Sequence, residues 1–126
     1  MALVKHQLYF GNFYFFDNFI VAEMHKGVFF DWKKATIVIE LAEAFYGENS
    51  IPHYISNRKN KYFVNPADWT NFFQLGYKIK SYIVIHKTKS SLFNFKFEKM
   101  FFKGKTLQFY NLHNAVTWIN SFELQE

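Results

Sequence analysis

Of the fifteen basic residues in this chain, one is an arginine, Arg58. It lies in the run Asn57-Arg58-Lys59-Asn60, between Ser56 and Trp69. Where lysine is the default cation, an arginine points to a need for a planar fork of donors. Such a fork binds an anionic group, with Asn57, Lys59, Asn60 and Lys61 beside it. The setting favours this: the end of a parallel strand just before a helix N-terminus is where open α/β sheets bind ligands. The competing role is internal. Arg58 pairs with Glu98 or a loop carbonyl and fixes the loop. Lys59-Asn60-Lys61 by itself reads as a solvated loop.

The other reactive side chains form no recognisable set. The five histidines, His6, His25, His53, His86 and His113, lack the i, i+4 or His-x-His spacing that metal ligation favours. His53 and His86 fall on neighbouring strands and are read as satisfied or solvent-facing. Asp31, Asp68 and Glu98 read as helix caps or surface charges. There is no glycine-rich phosphate loop, no Gly-x-Ser-x-Gly, and no Ser-His-Asp set in view. The absence of cysteine excludes disulfides, thiolate zinc sites and cysteine nucleophiles. No metal or cofactor is expected, and no catalytic residue is assigned.

The elements that would position Arg58 follow from hydrophobic pattern. Gln7–Phe10, Phe13–Phe16 and Phe19–Met24 are short aromatic and β-branched runs broken at Gly11-Asn12 and Asp17-Asn18, the pattern of a β-meander. Phe13 and Phe15 share one face, and Tyr14 and Phe16 the other. Asp31 caps a helix with Ala35, Val38, Ile39, Ala42 and Phe45 inward, and Gly47 stops it. Pro52 starts a strand, His53–Asn57. Asn65 and Pro66 start a second helix, with Asp68 in its first turn and Trp69, Phe72 and Phe73 as its apolar stripe. Ser81–His86 is a strand covered on both faces. Ser90-Ser91 open a third helix with Leu92, Phe93, Phe97, Met100 and Phe101 inward, and Gly104 stops it. Thr106–Tyr110 is the last strand. Asn111 caps a last helix through Ala115, Val116, Ile119 and Phe122, with Trp118 at its edge. The expectation is a single α/β domain over 1–126: a mixed sheet with an N-terminal meander and about four helices packed on it.

Composition adds a charge and an aromatic excess. The net charge is +5, and aromatics make up 23% of the chain, 18 of them Phe. AT-rich codons account for Phe, Asn, Lys, Ile and Tyr together, with Phe standing in for Leu in the core. The third helix stands out, because Lys96, Lys99, Lys103 and Lys105 surround several rings. If Phe95 and Phe102 are exposed together, then Phe95, Lys99, Phe102 and Lys103 form a border that lies on an anionic membrane or gates an apolar pocket. An RNA-binding reading lacks its Gly-Phe-x-Phe strand motif, so no nucleic acid is expected. No apolar run reaches the ~18–20 residues of a membrane span, and the first residues do not read as a signal peptide.

The order and length of the elements resemble the STAS/SpoIIAA-like fold and its SEC14-like offshoot, in small bacterial, Bacteroidetes-type members. The residues that carry the likeness are Gly27–Trp32, Tyr54–Tyr62 with Pro66 and Trp69, Phe97–Phe102, and Ala115–Ile119. The absence of cysteine and of a signal-like start fits the cytoplasm. The resemblance implies a non-enzymatic regulatory module that docks a protein partner. It places the docking at the loop and helix start over 56–69: Ser56, Asn57, Arg58, Lys59, Asn60 and Trp69. The family's Asp-Ser-x-Gly phospho-switch is missing, so the location carries over and the chemistry does not. The SEC14-like relatives imply the alternative: a lipid-like ligand or an anionic membrane surface, with the protein peripheral to the inner membrane. The apolar N-terminal ribbon is suited to pairing across a homodimer.

Overall fold

Three short runs fold into the expected antiparallel meander: β1 (Val4–Leu8), β2 (Gly11–Phe15) and β3 (Phe19–Met24). The computed structural model describes residues 2–48 and 50–125, except for the side chain of Ser90. The first turn falls at Tyr9-Phe10 rather than at Gly11-Asn12. Phe10 is buried there, and Gly11 is drawn into the strand. A Cβ on Gly11 would lie 2.7 Å from the Glu23 carbonyl oxygen, so β2 and β3 approach closely only because that atom is missing.

Beyond the meander, β5 (His53–Asn57), β7 (Tyr82–Ile85) and β8 (Thr106–Phe109) add in parallel. The six-stranded order is β1-β2-β3-β5-β7-β8. Each new strand is added on the same side, so crossovers of one hand place the three connecting helices over one sheet face. α1 (Trp32–Tyr46) packs on Phe13, Phe15 and Ile20 through Ile37, Val38, Leu41 and Phe45. α2 (Asp68–Gln74) and α3 (Lys89–Phe101) pack on Tyr82 and Val84 through Trp69, Phe73 and Phe95, joined by Phe102 just beyond α3. α4 (Leu112–Leu124) covers the opposite face, where Ala115 and Ile119 meet Val21, Ile55 and Ile83. The alternation foreseen in β2 therefore feeds two cores. Each fully buried Phe or Ile in them is worth roughly 1.5–3 kcal/mol.

The caps follow the sequence for two helices. Asp31 accepts from the Lys34 amide at 3.0 Å, and Asn111 accepts from the Asn114 amide at 2.8 Å. Gly47 adopts φ 71° after α1, where a side chain would be strained. At α2, the Asn65 side chain accepts from the Ala67 amide at 3.2 Å, and a tight turn leads into the helix at Asp68. At α3 the capping residue is Thr88, which accepts from the Ser91 amide, and not Ser90-Ser91. The Ser90 side chain lies outside the described residues. A two-stranded parallel piece, β4 (Phe29–Phe30) with β6 (Phe63–Val64), was not foreseen and ties the approach to α1 to the segment before α2.

Gly11→Ala is expected to destabilise the protein by about 1–3 kcal/mol, because the clash is with backbone that cannot rotate away. Urea unfolding measures this. A midpoint equal to wild type would show that β2 and β3 can separate freely.

Candidate functional site

The site grows from one row of the sheet. Register places Ile20 of β3 beside Tyr54 of β5, and Tyr54 beside Tyr82 of β7. These side chains share the face covered by α1 to α3. α1 covers the Ile20 side and α2 the Tyr82 side. Between the two helices the row is left open, and a cavity of about 410 Å³ lies over it. Ala35, Val38, Ile39 and Ala42 of α1 form one wall. Trp69 and Phe72 of α2 form the other. The mouth carries the exposed residues Glu43, Glu48, Ser50 and Lys78.

Tyr54, Tyr62, Tyr82 and Glu98 give the cavity a polar end. Behind them lies Arg58, with its side chain 6% exposed and paired to a Glu98 side chain that is 1% exposed. Arg58 Nη2 donates to Glu98 Oε2 at 2.5 Å and to the Tyr82 hydroxyl at 2.9 Å. Its Nε donates to Ser56 Oγ at 3.2 Å. The Tyr82 hydroxyl donates to Glu98 Oε1. Ser56 Oγ and the Tyr62 hydroxyl share a hydrogen bond of 2.5 Å, and the guanidinium lies 5.4 Å from the centre of the Tyr62 ring. Burial opposes the charge on Arg58, but Tyr62, Tyr82 and Glu98 outweigh it and hold its pKa well above the ordinary range. Burial also pushes the phenols of Tyr54, Tyr62 and Tyr82 upward, so all three remain neutral at physiological pH.

Of the two roles open to Arg58, the structure adopts the internal one, the pairing with Glu98. The surface anchor inferred from the run is thereby corrected. Its neighbours are engaged as well. Asn57 Nδ2 donates to Glu23 Oε2 at 2.9 Å, Lys59 pairs with Glu23 at 3.4 Å, and Asn60 Nδ2 donates to the Met24 carbonyl at 3.2 Å. These contacts bind the loop to the end of β3. Ser56 and Asn57 are buried, while Lys59 and Asn60 remain exposed. Trp69 is half-buried against Tyr82 and Phe102, at ring distances of 4.6 and 4.9 Å.

The expected aromatic border on the third helix is also corrected. Phe95 and Phe102 are buried, at 1% and 8% exposure. Lys99 and Lys103 are exposed, with Lys99 Nζ 5.3 Å from the Phe95 ring centre. The inward assignment of Phe93, Phe97, Met100 and Phe101 is reversed as well, since all four face outward.

His53 is satisfied, one of the two states read from the sequence, within a serine-histidine-glutamate arrangement that spacing did not reveal. Ser81 Oγ lies 2.6 Å from His53 Nδ1, and His53 Nε2 lies 3.1 Å from Glu123 Oε1. Ser81 and His53 are both fully buried, so no substrate reaches the hydroxyl. The arrangement joins β5, the start of β7 and α4. His86 lies at the other end of its strand and does not meet His53.

Sequence reasoning missed Tyr54, Tyr62 and Tyr82 as a group. For Tyr54 and Tyr82 the signal was their alternation with Ile55 and Ile83, which turns the two tyrosines to the opposite face from those isoleucines; Tyr62, in the segment before β6, carried no such signal. Comparison of the chain with protein-family models, curated proteins and solved structures finds no significant match.

Removing one partner of a buried ion pair costs about 3–5 kcal/mol. Arg58→Ala and Glu98→Ala are each expected to lose about that much in urea unfolding, and Arg58→Met with Glu98→Leu together less than either. A double variant weaker than both singles would refute this account. Alkaline pH gives a second test. Below pH 10 the buried phenols are protonated in both states. Above it the unfolded chain releases protons that the folded chain retains, so stability falls as pH rises. Absorbance at ~295 nm should show Tyr54, Tyr62 and Tyr82 ionising only as the protein unfolds.

Proposed function

We propose that this protein is a non-enzymatic binding protein whose cavity between α1 and α2 holds a lipid-like molecule with an uncharged, hydrogen-bonding head group. The cavity itself carries the reading: about 410 Å³, with aliphatic and aromatic walls and phenols at its inner end. Small-molecule sites have this character and typically span ~300–1,000 Å³.

The head group is inferred from charge. The guanidinium nearest the inner end is already neutralised by Glu98. Lys78, the cation of the lining, stands exposed at the mouth. An anionic head at the inner end would meet the Glu98 carboxylate and lose its own hydration, a strongly unfavourable exchange. A hydroxyl, ester or amide meets neutral phenols instead, with which it exchanges hydrogen bonds.

Kinship with the STAS/SpoIIAA-like fold and its SEC14-like offshoot belongs to the same proposal. It is supported by the meander followed by parallel strands alternating with helices. A protein partner at the 56–69 loop would meet Lys59, Asn60 and Lys61, while Arg58 lies beneath them.

Trp32 and Trp69 both line the cavity, so ligand entry changes their emission. Dodecanol and monolauroylglycerol should shift it saturably, and laurate at least about tenfold more weakly, a difference of roughly 1.4 kcal/mol. Ala35→Phe, which projects a ring into the cavity, should abolish the shift while leaving the unfolding midpoint nearly unchanged. The absence of saturable binding to any of the three would remove this reading. Tighter binding of laurate would overturn the head-group assignment.

A further inference from the structure

The outer face of α3 is apolar where a solvated helix would be polar. Phe93, Phe97 and Met100 are 59%, 47% and 75% exposed, and Phe101 is exposed beside them. Their spacing of i, i+4, i+7 and i+8 places them along one stripe. Phe93 and Phe97 already touch edge to face, with ring centres 5.1 Å apart. A contiguous exposed stripe of this kind marks a surface that meets something other than water.

The charge beside the stripe is equally uneven. Six of the fifteen basic residues and one of the ten carboxylates fall within residues 87–105. This segment therefore carries a formal charge of +5, the net charge of the entire chain, and the remaining residues together are neutral. The single carboxylate is Glu98, buried against Arg58 and so unable to offset the lysines at the surface. Lys89, Lys96, Lys99 and Lys103 are all exposed. By helical phase Lys89, Lys96 and Lys99 lie along one flank of the aromatic stripe, with Lys103 just beyond the helix end, so the solvent half of α3 is part apolar and part cationic.

We infer that α3 docks on an anionic lipid bilayer, with Phe93, Phe97, Met100 and Phe101 entering the headgroup boundary and the lysines resting on acidic headgroups. The charge complementarity is to a surface of like charges, which such a bilayer supplies. The stripe buries rings at the depth an interfacial helix reaches, ~5–10 Å. The long lysine stems allow their ammonium groups to remain at headgroup level while the rings lie deeper. The aromatic stripe lies on the side of α3 away from Phe95 and Glu98, and the surface functions whether or not the cavity holds a ligand.

The test is co-sedimentation of the full chain with vesicles of phosphatidylcholine alone and of phosphatidylcholine with phosphatidylglycerol in equal parts. Binding is expected to the mixed vesicles and to weaken with salt. Lys96→Glu, Lys99→Glu and Lys103→Glu together should reduce it by at least about fivefold per lysine. Phe93→Ser with Phe97→Ser should reduce it about as far, with an unchanged thermal midpoint because both rings are exposed. A Phe97→Trp variant should shift to the blue on the mixed vesicles and be quenched by brominated lipid. No binding to mixed vesicles, equal binding without phosphatidylglycerol, or binding unaffected by either set of changes would overturn the inference. A dimer that the Phe93→Ser, Phe97→Ser variant converts to monomer, without vesicle binding, would assign the face to a second copy of the chain instead.

Discussion

The structure depends on burying Arg58 and Glu98 together. Each charge removed from water costs several kcal/mol, and the pair is tolerable only with good geometry and partners for the remaining donors and acceptors. Those partners come from different elements. Ser56 belongs to β5, Tyr82 to β7, Glu98 to α3, and Tyr62 to the segment leading to β6. The contacts of one guanidinium thus hold the C-terminal end of β5, the neighbouring strand and α3 at fixed separations. The pair also sets the rotation of α3. Once Glu98 faces inward, Phe95 and Phe102 must flank it on the same side, and Phe93, Phe97 and Met100 must face solvent.

That rotation is also where the sequence was misleading. Leu92, Phe93, Phe97, Met100 and Phe101 form a good apolar stripe, and nothing in helical periodicity ranks it below the stripe through Phe95 and Phe102. A hydrophobic pattern assigns inside and outside when one face is polar. Here both faces are apolar, and the polar residue that decides between them, Glu98, is itself an inside residue. Its partner was legible, since Arg58 stands out in a lysine-rich chain and pairing with Glu98 was one of its two readings. The tyrosines that complete the network were not, because their roles depend on cross-strand register, which no local pattern encodes.

The overall α/β architecture was legible for the opposite reason. In β2, β5 and β7 the local signals agree: aromatic and β-branched residues, turn residues at the ends, and apolar side chains on both faces. Asp31, Gly47 and Asn111 mark helix ends by mechanisms that operate within a few residues, so they could be read directly. The displaced first turn at Tyr9-Phe10 shows where such reading stops. Gly11 resembles a turn residue, but the close approach of β3 requires a glycine within the strand. A local preference and a tertiary requirement select the same residue type for different reasons.

The cavity persists because its walls are held by contacts that do not involve filling it. α1 is fixed at its C-terminus, where the Tyr46 hydroxyl donates to the carbonyls of Phe16 and Phe19 at 2.6 and 3.0 Å, and at its start by the Asp31 cap. α2 is held by Trp69 against Tyr82 and Phe102. Ala35 and Ala42 face the space with side chains too short to cross it. Collapse would require one of these anchors to break, so the pocket is preformed and a ligand pays little to order it. The inner end of that pocket and the outer face of α3 are then two consequences of one constraint. The helix that must turn Glu98 toward Arg58 presents a carboxylate to the cavity on one side and a row of rings to the surroundings on the other.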